Sequence, residues 1–107
     1  MLENQFVDLA EKTIADIAEQ IELQDKEYRF EIDMLGDVLS IKTKSGEYIL
    51  NKHTAAREIW LASPISGPYH FAYKDKGEWM NKTDAKLHLL LSRELGLVLG
   101  LKPLGLA

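Results

Sequence analysis

The stretch NKHTAAREIWLASPISGPYHF, residues 51–71, decides the fold because it contains a strand whose two faces differ sharply. Side chains alternate between the two faces of a strand. Over residues 57–63, Ile59 and Leu61 therefore share one face while Trp60 points to the other. If the aliphatic pair faces the core, the largest side chain of the segment faces water. The pattern predicts a sheet with one buried and one open face, and Trp60 mostly exposed on the open face.

Alternation of apolar and polar residues continues through the flanking segments and predicts about six strands in all. It runs through residues 28–34, 37–44 and 47–52, and two more short strands are predicted at 69–73 and 78–81. The connections between these segments are of hairpin length. Neighbouring strands are therefore expected to pair antiparallel.

A helical period appears at both ends of the chain. Over residues 2–23, apolar side chains fall on one side of a helix and acidic side chains on the other. A second apolar stripe follows a predicted N-cap at Thr83 or Asp84 and ends at Gly100. Each helix has one apolar face, so both can lie on the same side of the sheet. The sequence predicts an α+β fold, a two-layer sandwich, in a single domain of residues 1–107.

The composition excludes several classes of function. The chain of 107 residues has no cysteine, which rules out disulfides, thiolate metal sites and a cysteine nucleophile. No segment approaches the roughly 20 apolar residues of a membrane span. There is no nucleophile–base pair at recognisable spacing, no phosphate-binding loop and no HExxH motif, and His53, His70 and His88 are expected at the surface. We expect a non-enzymatic protein that binds neither nucleic acid nor a membrane.

The charges are distributed unevenly along the chain. Residues 1–37 contain eleven acidic and three basic side chains, whereas residues 38–107 contain six acidic and ten basic ones. A solvated helix face is one explanation, but like charges held close together destabilise a fold. The alternative is a surface that binds cations or a basic partner. Carboxylates suit hard cations, and their number alone leaves iron, calcium, magnesium and manganese open. We call this set the acidic ridge; its members are Glu11, Glu19, Glu22, Asp25, Glu27, Glu31 and Asp33.

The chain resembles the frataxin family, whose bacterial members are called CyaY, over nearly its whole length. The resemblance is densest in the string from Asn51-Lys52-His53 to Ile59-Trp60-Leu61-Ala62-Ser63-Pro64 and Ser66-Gly67-Pro68. It extends to Phe6-x-x-Leu9-Ala10, to residues 36–41, and to Trp79 with the helix that carries Leu87, His88, Leu90 and Leu91.

The resemblance implies an iron-binding accessory protein of iron–sulfur cluster assembly. Ferrous or ferric iron would bind weakly on the acidic ridge, and Glu22 and Asp25 would help to dock a basic patch on the cysteine desulfurase. Asn51 and Trp60 would contact the complex of the desulfurase with the iron–sulfur scaffold protein. The outward position of Trp60 would then belong to a docking surface. A monomer is expected, with an iron-dependent oligomer as the alternative.

The chain also departs from the family pattern. Leu23 and Arg29 stand where bacterial members often carry more acids, so this ridge is thinner, and His53 replaces a common glutamine. The N-terminus is acidic and has neither a signal peptide nor a basic transit peptide. We therefore expect the bacterial cytoplasm, with the mitochondrial matrix as the alternative. The competing functions are an iron-storage or ferroxidase protein and an acidic adaptor that never holds metal.

Overall fold

Six strands lie between two helices in the computed structural model, which describes residues 1–101. The strands form one antiparallel sheet in sequence order, from β1 to β6, which confirms the predicted α+β sandwich. The predicted domain continues to residue 107, but residues 102–107 lie outside the described part. The elements are α1 Glu3–Gln24, β1 Glu31–Leu35, β2 Val38–Thr43, β3 Gly46–His53, β4 Glu58–Ser63, β5 Gly67–Tyr73, β6 Trp79–Met80 and α2 Leu87–Leu95.

The strand register separates a buried face from an open one. On the buried face, Leu50 of β3 lies opposite Leu61 of β4, and both are covered, as is Ile59. On the open face, Asn51 lies opposite Trp60. The predicted register is therefore right. The predicted exposure is wrong, because Trp60 is partly buried by its neighbours on the open face.

The apolar side of α1 packs against the buried face and around Trp79. The Trp79 ring is fully buried and meets Phe6 edge to face, with 6.0 Å between ring centroids. Its indole Nε1 donates a hydrogen bond of 3.2 Å to Thr13 Oγ1, whose own proton goes to the Leu9 carbonyl. The only polar atom of this large side chain is thus satisfied inside the core. Among residues 1–101, neither helix is long and apolar enough to cross a membrane.

The first strand begins later than the alternation predicts. Tyr28 is 91 % exposed with a φ of 53°, and regular pairing starts only at Glu31. Met34 points to the helix side but is still 44 % exposed. β1 is an edge strand, paired with β2 alone, so the core covers it incompletely.

Both predicted ends of the second helix are wrong. The N-cap is not Thr83 or Asp84, since α2 begins at Leu87. Asp84 has a φ of 65°, outside the extended conformation that an N-cap adopts. At the other end, the helix stops at Gly96 rather than Gly100. Gly96 adopts a φ of 69°, and this left-handed conformation costs glycine little.

His88 is buried, contrary to the expectation that every histidine lies at the surface. It is 6 % exposed, and its Nδ1 has no hydrogen-bond partner among the described residues. Burial lowers the pKa of His88 below its ordinary 6.5, and the carboxylates of Asp16 and Glu78 oppose this shift in part. Asp16, which the helical pattern places on the solvent side, is buried as well and accepts a hydrogen bond from Gln20.

Glu94 fastens α2 to the sheet. One carboxylate oxygen accepts hydrogen bonds from Tyr48 Oη at 2.9 Å and Ser63 Oγ at 2.7 Å, and the other accepts one from Ser66 Oγ at 2.5 Å. Burial would raise the pKa of Glu94, but the three hydroxyls together lower it. Burial, followed by the bond to Glu94, raises the pKa of Tyr48 to about 12. The network therefore favours a charged Glu94 and a neutral Tyr48 at neutral pH.

The buried imidazole predicts a pH dependence of stability. The unfolded chain binds a proton at His88 more readily than the folded protein does. The contribution of the neutral His88 to the free energy of unfolding is therefore complete above pH 6.5 and is lost as the pH falls through the lowered pKa. His88→Gln should remove up to about 1.4 kcal/mol per pH unit from the slope of unfolding free energy below pH 6.5. Urea unfolding at a series of pH values measures the slope. His70→Gln, a change at a half-exposed histidine, is the control, and an unchanged slope in His88→Gln would contradict the prediction.

The Glu94 network predicts a distinct pattern of stability losses. Glu94→Ala should lower the free energy of unfolding by about 2 kcal/mol, because the buried Tyr48 hydroxyl loses its acceptor. Glu94→Gln retains an acceptor oxygen and should cost less. Tyr48→Phe should cost less in the Glu94→Ala protein than in the parent, which a double-mutant cycle by urea unfolding measures. Additive losses would show that the two side chains do not act together.

Candidate functional site

Three acids of the ridge, two on α1 and one in the turn after it, are exposed and have no salt-bridge partner among the described residues. Glu19, Glu22 and Glu27 are exposed, and no Lys or Arg of residues 1–101 forms a salt bridge with them. The last turn of α1 also has no basic residue. Acidic groups near a helix C-terminus oppose the helix dipole, so this arrangement costs stability. Acids that lower the stability of the fold in this way indicate a binding role for these side chains.

The strand half of the ridge lies on the other side of the sheet. Ile32 and Met34 pair with buried residues of β2 and face the helices, so Glu31 and Asp33 face the open side. Lys42 lies opposite Glu31 in the register. Glu31 and Asp33 therefore lie on the open face, as the alternation along this strand predicts, whereas the other acids of the ridge belong to α1 and to the turn that follows it.

Asp25 has a structural role that the sequence does not reveal. Its side chain is buried, and its two carboxylate oxygens accept the backbone N–H groups of Arg29 and Phe30, each at 2.9 Å. The Arg29 guanidinium lies 3.8 Å from the same carboxylate. These bonds turn the chain out of α1 toward β1. Both oxygens of Asp25 are thus engaged by the backbone, which gives this side chain a capping role in the fold.

Glu11 is also engaged within the protein. Its carboxylate lies 3.2 Å from Lys52 Nζ, and the same ammonium group contacts Asp37. The hydrogen bond to Asp37 is the main cause that raises the pKa of Lys52, with Glu11 adding to it against the effect of burial. The base that pairs with Glu11 comes from β3, far away in sequence, so helical periodicity could not identify it.

The free carboxylates do not form an enclosed metal site. Within residues 1–101, no three His, Asp or Glu side chains are arranged to hold one ion. Glu22 borders an open cleft of about 300 Å³, together with Asp25 and Tyr28. The donors are carboxylate oxygens, which suit hard cations such as iron, but each ion would keep most of its water. The arrangement thus presents separate oxygen donors at the surface of the described chain.

The open face of the sheet contains a second group of candidate residues around Trp60. Asn51 lies opposite Trp60 on β3, and His70 lies opposite it on β5. The indole is stacked between His53 and His70, with ring centroids 3.8 Å and 4.1 Å away. Neither histidine was expected to have a role. The signal that could have identified His70 is its outward position directly across from Trp60 once the strands are paired.

The fold and the surfaces described above match proteins that are already known. The chain matches the frataxin-like domain family over residues 1–101. It is 42 % identical over 99 residues to the protein named mitochondrial frataxin from Arabidopsis thaliana. The matched region covers 87 % of this chain and 53 % of that protein. The chain thus spans about half the length of this curated relative.

Solved structures share the same architecture. Frataxin from Psychromonas ingrahamii superposes with a TM-score of 0.76 at 23 % identity, covering 89 % of both chains, and this likeness concerns the fold. Trimeric frataxin from the yeast Saccharomyces cerevisiae, in a ferrous complex, gives a TM-score of 0.75 at 25 % identity and covers 85 % of both chains. Because the family match spans all of the described residues, the chain belongs to the frataxin-like domain family.

Proposed function

We propose that this protein is an iron-binding accessory protein of iron–sulfur cluster assembly that acts by docking to the cysteine desulfurase and its scaffold protein. The observation that carries the proposal is a row of exposed carboxylates without basic partners, Glu19, Glu22 and Glu27, in a frataxin-like chain. The ferrous complex of the yeast relative supports iron as the cation. Iron here is a cargo, and the protein is a binding protein rather than an enzyme.

The geometry favours a carrier over an iron-storage or ferroxidase protein. A site that oxidises or stores iron would normally hold its ions with several converging ligands. In the described chain the carboxylates are spread over a helix, the turn after it and an edge strand, and no three of them are arranged to hold one ion. Few protein ligands give weak binding and fast exchange, which suits delivery to a partner.

The two surfaces are suited to different parts of a docking reaction. The acidic side chains of α1 attract a basic patch at long range, which speeds association and aligns the partners. Trp60 and Asn51 on the open face offer a short-range contact, and partly buried aromatic side chains are common among residues that dominate binding energy. The name of the Arabidopsis relative supports a mitochondrial location over the bacterial cytoplasm.

Neutralising the ridge should stabilise the fold and weaken iron binding at the same time. Glu19→Gln with Glu22→Gln should raise the free energy of unfolding by about 0.5–1 kcal/mol, because repulsion between the acids and with the helix dipole is relieved. Binding of Fe²⁺ by anaerobic calorimetry should weaken in the same protein. Asp75→Asn is the matched control, an exposed acid outside the ridge. A double variant less stable than the parent would show that these acids support the fold instead.

The two docking surfaces should respond differently to salt. Glu22→Gln with Glu27→Gln should weaken binding to the desulfurase–scaffold assembly mainly at low ionic strength, since salt screens long-range attraction. Asp25 is left intact in this variant because it caps the turn into β1.

Trp60→Ala should weaken binding by a similar factor at low and high salt, because its contribution comes from packing and desolvation. Titrations at two ionic strengths measure both effects, and thermal melts confirm that each variant is folded. Unchanged affinity of a folded Trp60→Ala protein would remove Trp60 from the interface.

A further inference from the structure

Trp60 is held on both of its flat faces. The His53 and His70 rings lie nearly parallel to the indole, with interplanar angles of 8° on each side. Both centroid distances, 3.8 Å and 4.1 Å, are those of rings in direct contact. The three rings form a continuous row on the open face of the sheet, across strands β3, β4 and β5.

The polar edge of the indole is engaged as well. Trp60 Nε1 donates a hydrogen bond of 2.9 Å to a carboxylate oxygen of Glu58, which lies on the same face of the same strand. His70 Nδ1 lies 3.9 Å from the same oxygen. With both faces covered and the only donor used, the part of the indole left for a partner is the rim of the ring system away from Nε1.

We propose that His53 and His70 are positioning residues that hold Trp60 on edge, so that a partner can contact only its rim. This inference rests on the proposed function only for the identity of the partner, the desulfurase–scaffold assembly. The ring stack itself is present in the free protein. The stack reduces the rotamers open to the indole before binding. A partner then does not have to order this side chain, and that preorganisation strengthens binding.

The same geometry limits the chemistry of the partner. A partner that stacks an aromatic ring or a guanidinium on Trp60 needs an open face, and both faces are occupied. A partner that accepts a hydrogen bond from Nε1 would have to displace Glu58. The surface that fits is a narrow cleft that is apolar where it receives the indole rim and polar where it meets the edges of the two imidazoles.

The first test uses the free protein and acrylamide quenching of tryptophan fluorescence. Trp79 is fully buried, so the quenchable emission comes from Trp60. His70→Ala and His53→Ala should each increase quenching and shift the quenchable emission to longer wavelength, because a face of the indole becomes accessible. His70→Phe keeps a flat ring in place and should restore the parent values. Lys42→Ala, an exposed change elsewhere on the open face, should leave them unchanged.

The second test measures affinity for the purified desulfurase–scaffold assembly. His70→Ala and His53→Ala should weaken binding roughly threefold to tenfold, the cost of ordering one released side chain, and His70→Phe should recover it. A rise in quenching with unchanged affinity would overturn the positioning role, provided that Trp60→Ala weakens binding.

The outcomes also separate this inference from the proposed function. If Trp60→Ala binds as tightly as the parent, the docking role of Trp60 in the proposed function is wrong, and the quenching series alone decides whether the histidines hold the indole. Unchanged quenching in both alanine variants would overturn the stack as a holding device, whatever the affinities are.

Discussion

Both helices pack on the same face of the sheet, so the other face must carry side chains that are stable in contact with water. This constraint determines where the functional residues can lie. Residues of the covered face, such as Leu50 and Leu61, are committed to the core. Trp60, one position from Leu61, is not part of the core and can contact a partner. An isolated indole on this face would expose its apolar surface to water. Two imidazoles cover the indole, because their flat faces pack on it while their polar edges remain stable in contact with water.

The rest of the stability has to offset the repulsion within α1. The inner side of that helix contributes a continuous apolar stripe, including Phe6 and Ile17, which are fully buried. At the far side of the core, the bonds from Tyr48 and the serine hydroxyls to Glu94 attach α2 to the sheet. Among the acids on the outer side of α1, Glu11 pairs with Lys52 of β3, whereas Glu19 and Glu22 form no salt bridge within residues 1–101. The two sides of α1 therefore have different roles. The apolar side supports the fold, and the charged side is available to a ligand.

The parts of the structure that depend on periodicity were predictable, and those that depend on single long-range contacts were not. Strict alternation around Trp60 is enough to assign Ile59 and Leu61 to the core, because a shift of one residue would reverse both faces. The start of β1 depends on Asp25, which accepts two backbone N–H groups, and the left-handed Asp84 lies before α2, which begins only at Leu87. In the same way, the ring stack requires three strands to be in register. Exposed acids at helical spacing and the outward position of Glu31 and Asp33 could be identified from the sequence. The ion pair of Glu11 with Lys52 and the backbone hydrogen bonds of Asp25 could not.

The edge position of β1 has a consequence for association between copies of the protein. A strand that ends a sheet presents unpaired backbone groups to which a second strand can bind. Here that edge carries Glu31 and Asp33, so two copies approaching edge to edge would bring four carboxylates together. The charge that weakens the fold thus also disfavours fibre-like growth through the sheet. A bound cation would weaken both effects together, which couples the loading of the ridge to the tendency of the edge to find a partner.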